Sequence, residues 1–343
     1  MRHIMAIYDV DPLYAARFAD VVNQTEKIPF DVLAFSSFDK LKKFAKENPV
    51  ELLLISSAVS REEAEELGAG KVMCLADGET LQADMEYPSI YKYQSSGNII
   101  REVMACYCEK SAEAVPGTAM RAAAKILGVY SPVGRCLKTS LAITMGQLLA
   151  QESRTLYLNL EECSGLSILT KTEYKEDLAD LLYFFSQGNY NLLRLNSVVH
   201  SLDALDYVPP VRYPEDLADT DAGQVEGLIE TIAGEGGYEN VILDIGSHGK
   251  FVYGLMKLCS VIYMPVKEDS VSLAKLEEFE RYLDVSGNGA LREKIKKLKL
   301  PYHSSFGRRE NYLEQLLWGE LWDYVRQLLR GGRRPETGYR PWR

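Results

Sequence analysis

Short apolar runs alternate with amphipathic stretches along the 343 residues, and this alternation predicts an α/β protein built on mostly parallel sheets. Three observations carry that prediction. VELLLIS (50–56) and NVILDI (240–245) are nearly continuous aliphatic runs, as in strands covered on both faces. Stretches of helical period, such as PLYAARFADVVNQ (12–24) and TSLAITMGQLLAQ (139–151), separate the strands and are long enough for crossovers. With 46% hydrophobic and 26% charged residues, the chain is long enough for about two cores.

In order from the N-terminus, IMAIY (4–8) reads as a strand, 12–24 as a helix and FDVLAF (30–35) as a strand. SFDKLKKFAKEN (37–48) reads as a helix with Ser37 as its N-cap, and 50–56 is the buried strand. KVMCLA (71–76) and PSIYKYQ (88–94) are two more strands, followed by the helix NIIREVMACYCEK (98–110). Right-handed crossovers between such elements give a flavodoxin-like, doubly wound domain of about five parallel strands, which we bound at residues 1–112. Residues 113–124 are small, include Pro116 and Gly117, and read as a linker. A second α/β domain spans 125–330. Its expected strands are KILGVYS (125–131), TLYLNL (155–160), NLLRLN (191–196), NVILDI (240–245) and SVIYMPV (260–266), with helices over DAGQVEGLIETIAG and SVSLAKLEEFERYL. ENYLEQLLWGELWDYVRQLLR (310–330) has apolar residues at helical spacing and reads as one or two helices packed on this domain, ahead of a basic tail, 331–343.

The net charge of −10 disfavours nucleic acid as a partner, although a local basic patch is not excluded by it. No apolar run approaches the roughly 18 residues of a spanning helix, and the first residues read as a strand rather than a leader, so a cytoplasmic location is expected. The arginine-rich tail, with Tyr339 and Trp342, is a candidate for peripheral contact with an anionic membrane at its inner face. The six cysteines form no C-x-x-C pair and the four histidines lie far apart, so neither a zinc site nor triad chemistry is expected.

In the first domain Asp9 and Asp11 follow the first strand, Ser56 ends the third and Lys92 ends the fifth. The layout resembles the CheY-like receiver domain of response regulators, which carries acidic residues, a phosphoacceptor aspartate and a lysine at these places. Ser56 stands where the resemblance puts the acceptor, and Val10 replaces the second acid of the usual pair. A serine cannot form an acyl phosphate and is a poor Mg²⁺ ligand, so a pseudo-receiver that docks to partners without phosphorelay chemistry is expected. Asp9 and Lys92 read equally well as plain strand-end residues.

In the second domain, strand, SPVGRCLKTS and helix are the context of a phosphate-binding loop. The pattern G-x-x-x-x-G-K-[ST] aligns with Pro132 to Thr139 and retains Lys138 and Thr139. Asn159, Leu160 and Glu161 then follow one strand, and Asp244 and Gly246 close another. This order resembles the MinD/ParA-like P-loop ATPases. With the receiver-like domain in front, the whole chain resembles their TadZ/CpaE type, which positions pilus and secretion machinery. The resemblance implies a homodimer, with ATP and Mg²⁺ as cofactors. It implies a phosphate cradle of Gly134, Arg135, Cys136, Leu137, Lys138, Thr139 and Ser140, with Mg²⁺ on Thr139 and Asp244. It gives Asp244 and Glu161 the catalytic places, Glu161 to orient the attacking water.

Three departures predict slow or absent hydrolysis. Val133 takes the place of the family's second lysine, which leaves Arg135 as the replacement read from the sequence; Leu137 takes that of a glycine and Asn159 that of an aspartate. The expected function is a nucleotide-binding spatial regulator or scaffold that helps localise a pilus or secretion machinery. The alternatives are an active ATPase and a nucleotide-free scaffold. In the last, Lys138 would be solvent-exposed, Thr139 an N-cap and Asp244 a strand-end residue bonded to backbone. A bacterial-type tyrosine kinase would want a tyrosine-rich tail, whereas only Tyr339 follows Tyr324.

Overall fold

The computed structural model describes residues 3–24, 30–77, 87–93, 96–108, 123–246, 249–301 and 312–330. The chain divides into two compact units, residues 1–117 with 191–197, and residues 118–190 with 198–343. Most of the 113–124 segment and the whole 331–343 tail lie outside the described residues.

The first unit runs β1 (His3–Tyr8), α1 (Pro12–Gln24), β2 (Phe30–Phe35), α2 (Phe38–Glu47), β3 (Leu52–Ser56), α3 (Arg61–Glu65), β4 (Lys71–Ala76), β5 (Ser89–Tyr91) and α4 (Ser96–Cys108). The sheet order is β2-β1-β3-β4-β5 and every pairing is parallel, a doubly wound order. Strand alternation explains the continuous apolar run of β3. Leu52 and Leu54 pack with Phe18, Val22, Val103 and Met104 on one face, while Leu53 and Ile55 pack with Leu41, Ala64 and Leu67 on the other. Each such side chain contributes roughly 1.5–3 kcal/mol when fully buried.

The second unit runs β6 (Lys125–Val129), α5 (Lys138–Ala150), β7 (Thr155–Leu160), α6 (Leu166–Thr170) and α7 (Leu178–Ser186). Then come α8 (Leu192–Val198), most of which groups with the first unit, β8 (His200–Leu202), β9 (Leu205–Val208), α9 (Pro214–Asp219) and α10 (Ala222–Glu235). β10 (Asn240–Ile245), α11 (Gly249–Leu258), β11 (Val261–Pro265), α12 (Ser270–Val285), α13 (Leu291–Lys294), β12 (Ile295–Leu298), α14 (Tyr312–Gln315) and α15 (Glu320–Leu329) complete it. Its sheet, β12-β11-β6-β10-β7-β9-β8, is parallel except for the β8–β9 pair. The molecule is thus mixed α/β with mostly parallel sheets.

α5 is apolar nearly all round and is buried continuously over 140–147, between the sheet and the C-terminal helices. It approaches the sheet so closely that a Cβ on Gly146 would lie 2.7 Å from a Leu205 methyl. Leu316, Leu321 and Val325 are fully buried in the same core, so the 310–330 pattern does pack on this unit where it is described.

Two local readings change, and two further elements appear. NLLRLN is a helix, not a strand: the Asn191 side chain accepts from the Arg194 N–H at 2.9 Å and opens α8, whose Leu193, Leu195 and Val198 are all buried. Ser37 holds the N-cap place of α2 but makes no side-chain cap bond. The acidic SREEAEE stretch forms α3, held by a reciprocal capping box between Ser60 and Glu63. The lysine-rich IKKL is the edge strand β12, where charge discourages further pairing.

Candidate functional site

In a parallel sheet, loops at the carboxyl ends of neighbouring strands converge, and the chain brings the loop after β6, the end of β7, the end of β10 and the loop after β11 to one edge. Register does the first part of the work. Asp244 on β10 lies opposite Asn159 on β7 and Val129 on β6, and Tyr263 on β11 also pairs with Val129. Gly246 does the second. A Cβ there would sit 2.3 Å from the Leu160 carbonyl oxygen, so only glycine lets the ends of β7 and β10 close this tightly.

The loop between β6 and α5 is anchored from within and from β11. The Ser131 hydroxyl donates to the Pro265 carbonyl at 2.7 Å and accepts from the Val133 N–H at 3.1 Å, and the Cys136 thiol donates to the Val133 carbonyl at 3.0 Å. Arg135 (φ 54°) and Leu137 (φ 65°, ψ 31°) both turn left-handed, which costs an L-residue roughly 1–2 kcal/mol. Leu137 therefore does not prevent the turn that a glycine would make, and the strain is carried instead. Leu137 is also the N-cap of α5, so the N-cap place expected for Thr139 in a nucleotide-free scaffold belongs to its neighbour two residues earlier. The first-turn N–H groups of α5 lack intrahelical acceptors by geometry and give this end a positive dipole. They face an open pocket of about 420 Å³ lined by residues 135–140, Glu161 and Lys267.

Lys138 is only 10% exposed, not solvent-exposed. Its Nζ pairs with Glu161 Oε1 at 2.5 Å and donates to the Ile245 carbonyl at 3.1 Å, which ties α5 to the ends of β7 and β10. Glu161 thus meets Lys138, and the structure joins the two candidates. Asn159 donates from Nδ2 to Tyr157 Oη at 2.8 Å and to Asp244 Oδ2 at 3.3 Å, and its Oδ1 accepts from the Glu161 N–H at 3.0 Å.

Asp244 is fully buried. Its Oδ2 accepts from Tyr157 Oη at 3.0 Å and from Asn159, both side chains rather than backbone, while its Oδ1 is buried without a partner among the described residues. Burial pushes this carboxyl up to about 6, and nearby Glu161 pushes in the same direction. The Thr139 hydroxyl, Lys138 and Tyr157 pull it back. An unsatisfied carboxylate oxygen near a threonine hydroxyl is a donor pair suited to a hard divalent ion such as Mg²⁺. Burial also holds the Cys136 thiol up, so this cysteine of the cradle is a packing group.

Tyr157, Tyr312 and Lys267 were not among the residues singled out from the sequence. Tyr157 lies two residues before Asn159 on one strand, hence on the same face, a signal that alternation offers. Tyr312 Oη shares a 2.5 Å hydrogen bond with Ser140 Oγ across 172 positions, and nothing local announces it.

In the first unit Lys92 and Asp9 are buried and paired at 3.3 Å, and Asp77 joins them at 2.5 Å. Burial alone would lower the Lys92 pKa, but the hydrogen bonds that its ammonium donates to Asp77 and Asp9 outweigh it and raise it. The rings of Tyr14 and Tyr93 lie 5.4 and 5.2 Å from the ammonium, and burial with Asp9 beside it pushes the Tyr14 phenol up to about 12. Asp11 is not free for chemistry: its carboxylate accepts from the Leu13 and Tyr14 N–H groups and caps α1. Ser56 is buried, with its hydroxyl accepting from the Ala58 N–H at 3.4 Å. Among the described residues no group of three His, Cys, Asp or Glu could hold a metal, and no helix is long and apolar enough to cross a membrane.

No family model and no curated protein matches the chain. Among solved structures, it is similar to cobyrinic acid a,c-diamide synthase from Mycobacterium smegmatis with bound ADP and magnesium, at 16% identity over 63% of this chain and 100% of that one, with a TM-score of 0.45. A McdA variant from Cyanothece in complex with ATP is similar at 14% identity over 62% of this chain and 99% of that one, with a TM-score of 0.45. A plasmid partition protein from Borrelia burgdorferi is similar at 11% identity over 60% of this chain and 100% of that one, with a TM-score of 0.43.

Proposed function

We propose that the second unit binds a nucleoside triphosphate as its Mg²⁺ complex, and that the chain is a spatial regulator of the MinD/ParA-like, TadZ/CpaE type with a pseudo-receiver in front. The observation that carries the nucleotide reading is Asp244: a fully buried carboxylate with one unpartnered oxygen, beside Thr139 and next to the first turn of α5. Folding has left in place a desolvated carboxylate that makes no direct ion pair among the described residues and that Lys138 offsets only in part, which is costly unless a ligand supplies a cation.

In this reading Thr139 and Asp244 hold the metal, the loop and first-turn N–H groups of residues 134–140 surround the phosphates, and Lys138 exchanges Glu161 for phosphate oxygen. The metal supplies charge neutralisation on the phosphate oxygens. Hydrolysis is slow, because Val133 is buried where the resemblance puts a second lysine, which leaves the transition-state charge without that cation. Homodimerisation and service to a pilus or secretion apparatus rest on the resemblance of the sequence. The pseudo-receiver reading is supported by the engaged states of Asp9, Asp11 and Lys92 and by the buried Ser56.

Titration of a fluorescent ATP analogue with Mg²⁺ tests this. The wild type binds saturably, and Lys138→Ala weakens binding at least tenfold. Absence of saturable binding in the wild type favours the nucleotide-free scaffold, a reading that the internal Lys138–Glu161 pair also suits.

A further inference from the structure

Lys267 enters the pocket from a part of the chain with no role in the phosphate-loop pattern. It follows β11 in the sequence PVKEDS and lines the same cavity as Arg135, Lys138 and Glu161. The two acids that follow it are otherwise engaged. Glu268 pairs with Lys299 at 2.5 Å, and Asp269 caps α12 by accepting from the Ser272 N–H at 3.0 Å. Lys267 itself makes no ion pair among the described residues. The loop is held in place by the Val266 N–H bond to the Leu298 carbonyl at 2.8 Å and by the Ser131 bond to Pro265, so the phosphate loop and this lysine share an anchor.

The charge balance of the cavity sharpens the point. Its lining carries Arg135, Lys138 and Lys267 against one carboxylate, Glu161, which Lys138 already neutralises. Arg135 and Lys267 are left as uncompensated cations on the exposed wall of one open pocket, where charges of one sign converging on a concave surface attract an anion. Val133 is buried and sends no charge into the cavity.

We propose that Lys267 is a phosphate-contacting residue that supplies, from the β11–α12 loop, the second cation for a triphosphate chain and sets the preference for triphosphate over monophosphate. This rests on the nucleotide reading of the pocket. It differs from the sequence expectation, in which Arg135 is the only replacement.

Isothermal titration of the full chain with Mg²⁺-ATP, AMP and inorganic tripolyphosphate tests it in wild type, Lys267→Gln and Lys267→Arg. Because Lys267 is exposed, both variants should fold, with melting temperatures matching the wild type. The expected result is a roughly tenfold loss of ATP and tripolyphosphate affinity in Lys267→Gln, less than a twofold change for AMP, and recovery in Lys267→Arg. ATP affinity within twofold of wild type in Lys267→Gln, or an equal loss for AMP, overturns the proposal and leaves the nucleotide reading standing. Tripolyphosphate binding that depends on Lys267, with ATP bound no more tightly, keeps the proposal and removes the nucleotide reading. No binding of either polyphosphate overturns both.

Discussion

Leu137 and Asp244 show how single residues in this chain carry cost that has no local return. Leu137 holds a left-handed backbone that disfavours a branched side chain, and Asp244 holds a buried carboxylate whose pKa is pushed from 3.8 to about 6. A carboxyl that keeps its proton more firmly when folded makes the native state bind more protons than the unfolded chain between about pH 4 and 6. Stability therefore falls as pH rises through that window, by on the order of 3 kcal/mol in full. Asp244→Asn keeps an acceptor for Tyr157 and Asn159 but removes the charge. We expect thermal melts of the nucleotide-free protein to show the variant more stable at pH 8 by about 2 kcal/mol, with the gap closing by pH 4.5. A constant difference across that range would show that the carboxylate is not desolvated as described. The same variant should lose Mg²⁺-dependent nucleotide binding.

Among the elements, α5 connects the candidate site to the C-terminal helices. Its buried face carries Ser140, Thr144 and Gln147 at helical spacing. Ser140 is satisfied by Tyr312 of α14, while Thr144 Oγ1 and both Gln147 amide atoms have no partner among the described residues. Tyr312→Phe leaves the buried Ser140 hydroxyl without its partner and should cost about 1 kcal/mol, lowering the melting temperature by about 3 °C. An unchanged melting temperature would mean that this hydroxyl pair adds nothing to the packing of α14. The strand–helix alternation was legible in most elements because burial on two faces demands continuous apolar runs and crossovers demand helical period. NLLRLN was not, since an Asn191 cap and a cluster of leucines satisfy a helix as readily as a strand. β12 was hidden because an edge strand can be rich in lysine.

For the whole molecule, the net charge of −10 averages over very different regions. Residues 326–343 bring Arg326, Arg330, Arg333, Arg334, Arg340 and Arg343 against Glu336 alone, so the remainder is more acidic than the total. Deleting residues 331–343 should leave the melting temperature unchanged and weaken localisation of a fluorescently tagged chain. Unaltered localisation would remove the tail from the account of partner choice. By itself, the sequence determined the α/β class and most of the strand–helix alternation, and it marked Lys138, Thr139 and Asp244 as candidates, because periodicity and strand-end position are local properties. The tertiary structure alone decided what those residues meet. The Lys138–Glu161 pair, the orphaned Asp244 oxygen, the Ser140–Tyr312 bond and the arrival of Lys267 all depend on which strands become neighbours. Neighbours in a parallel sheet are set by crossovers and packing between distant segments, which no local pattern records.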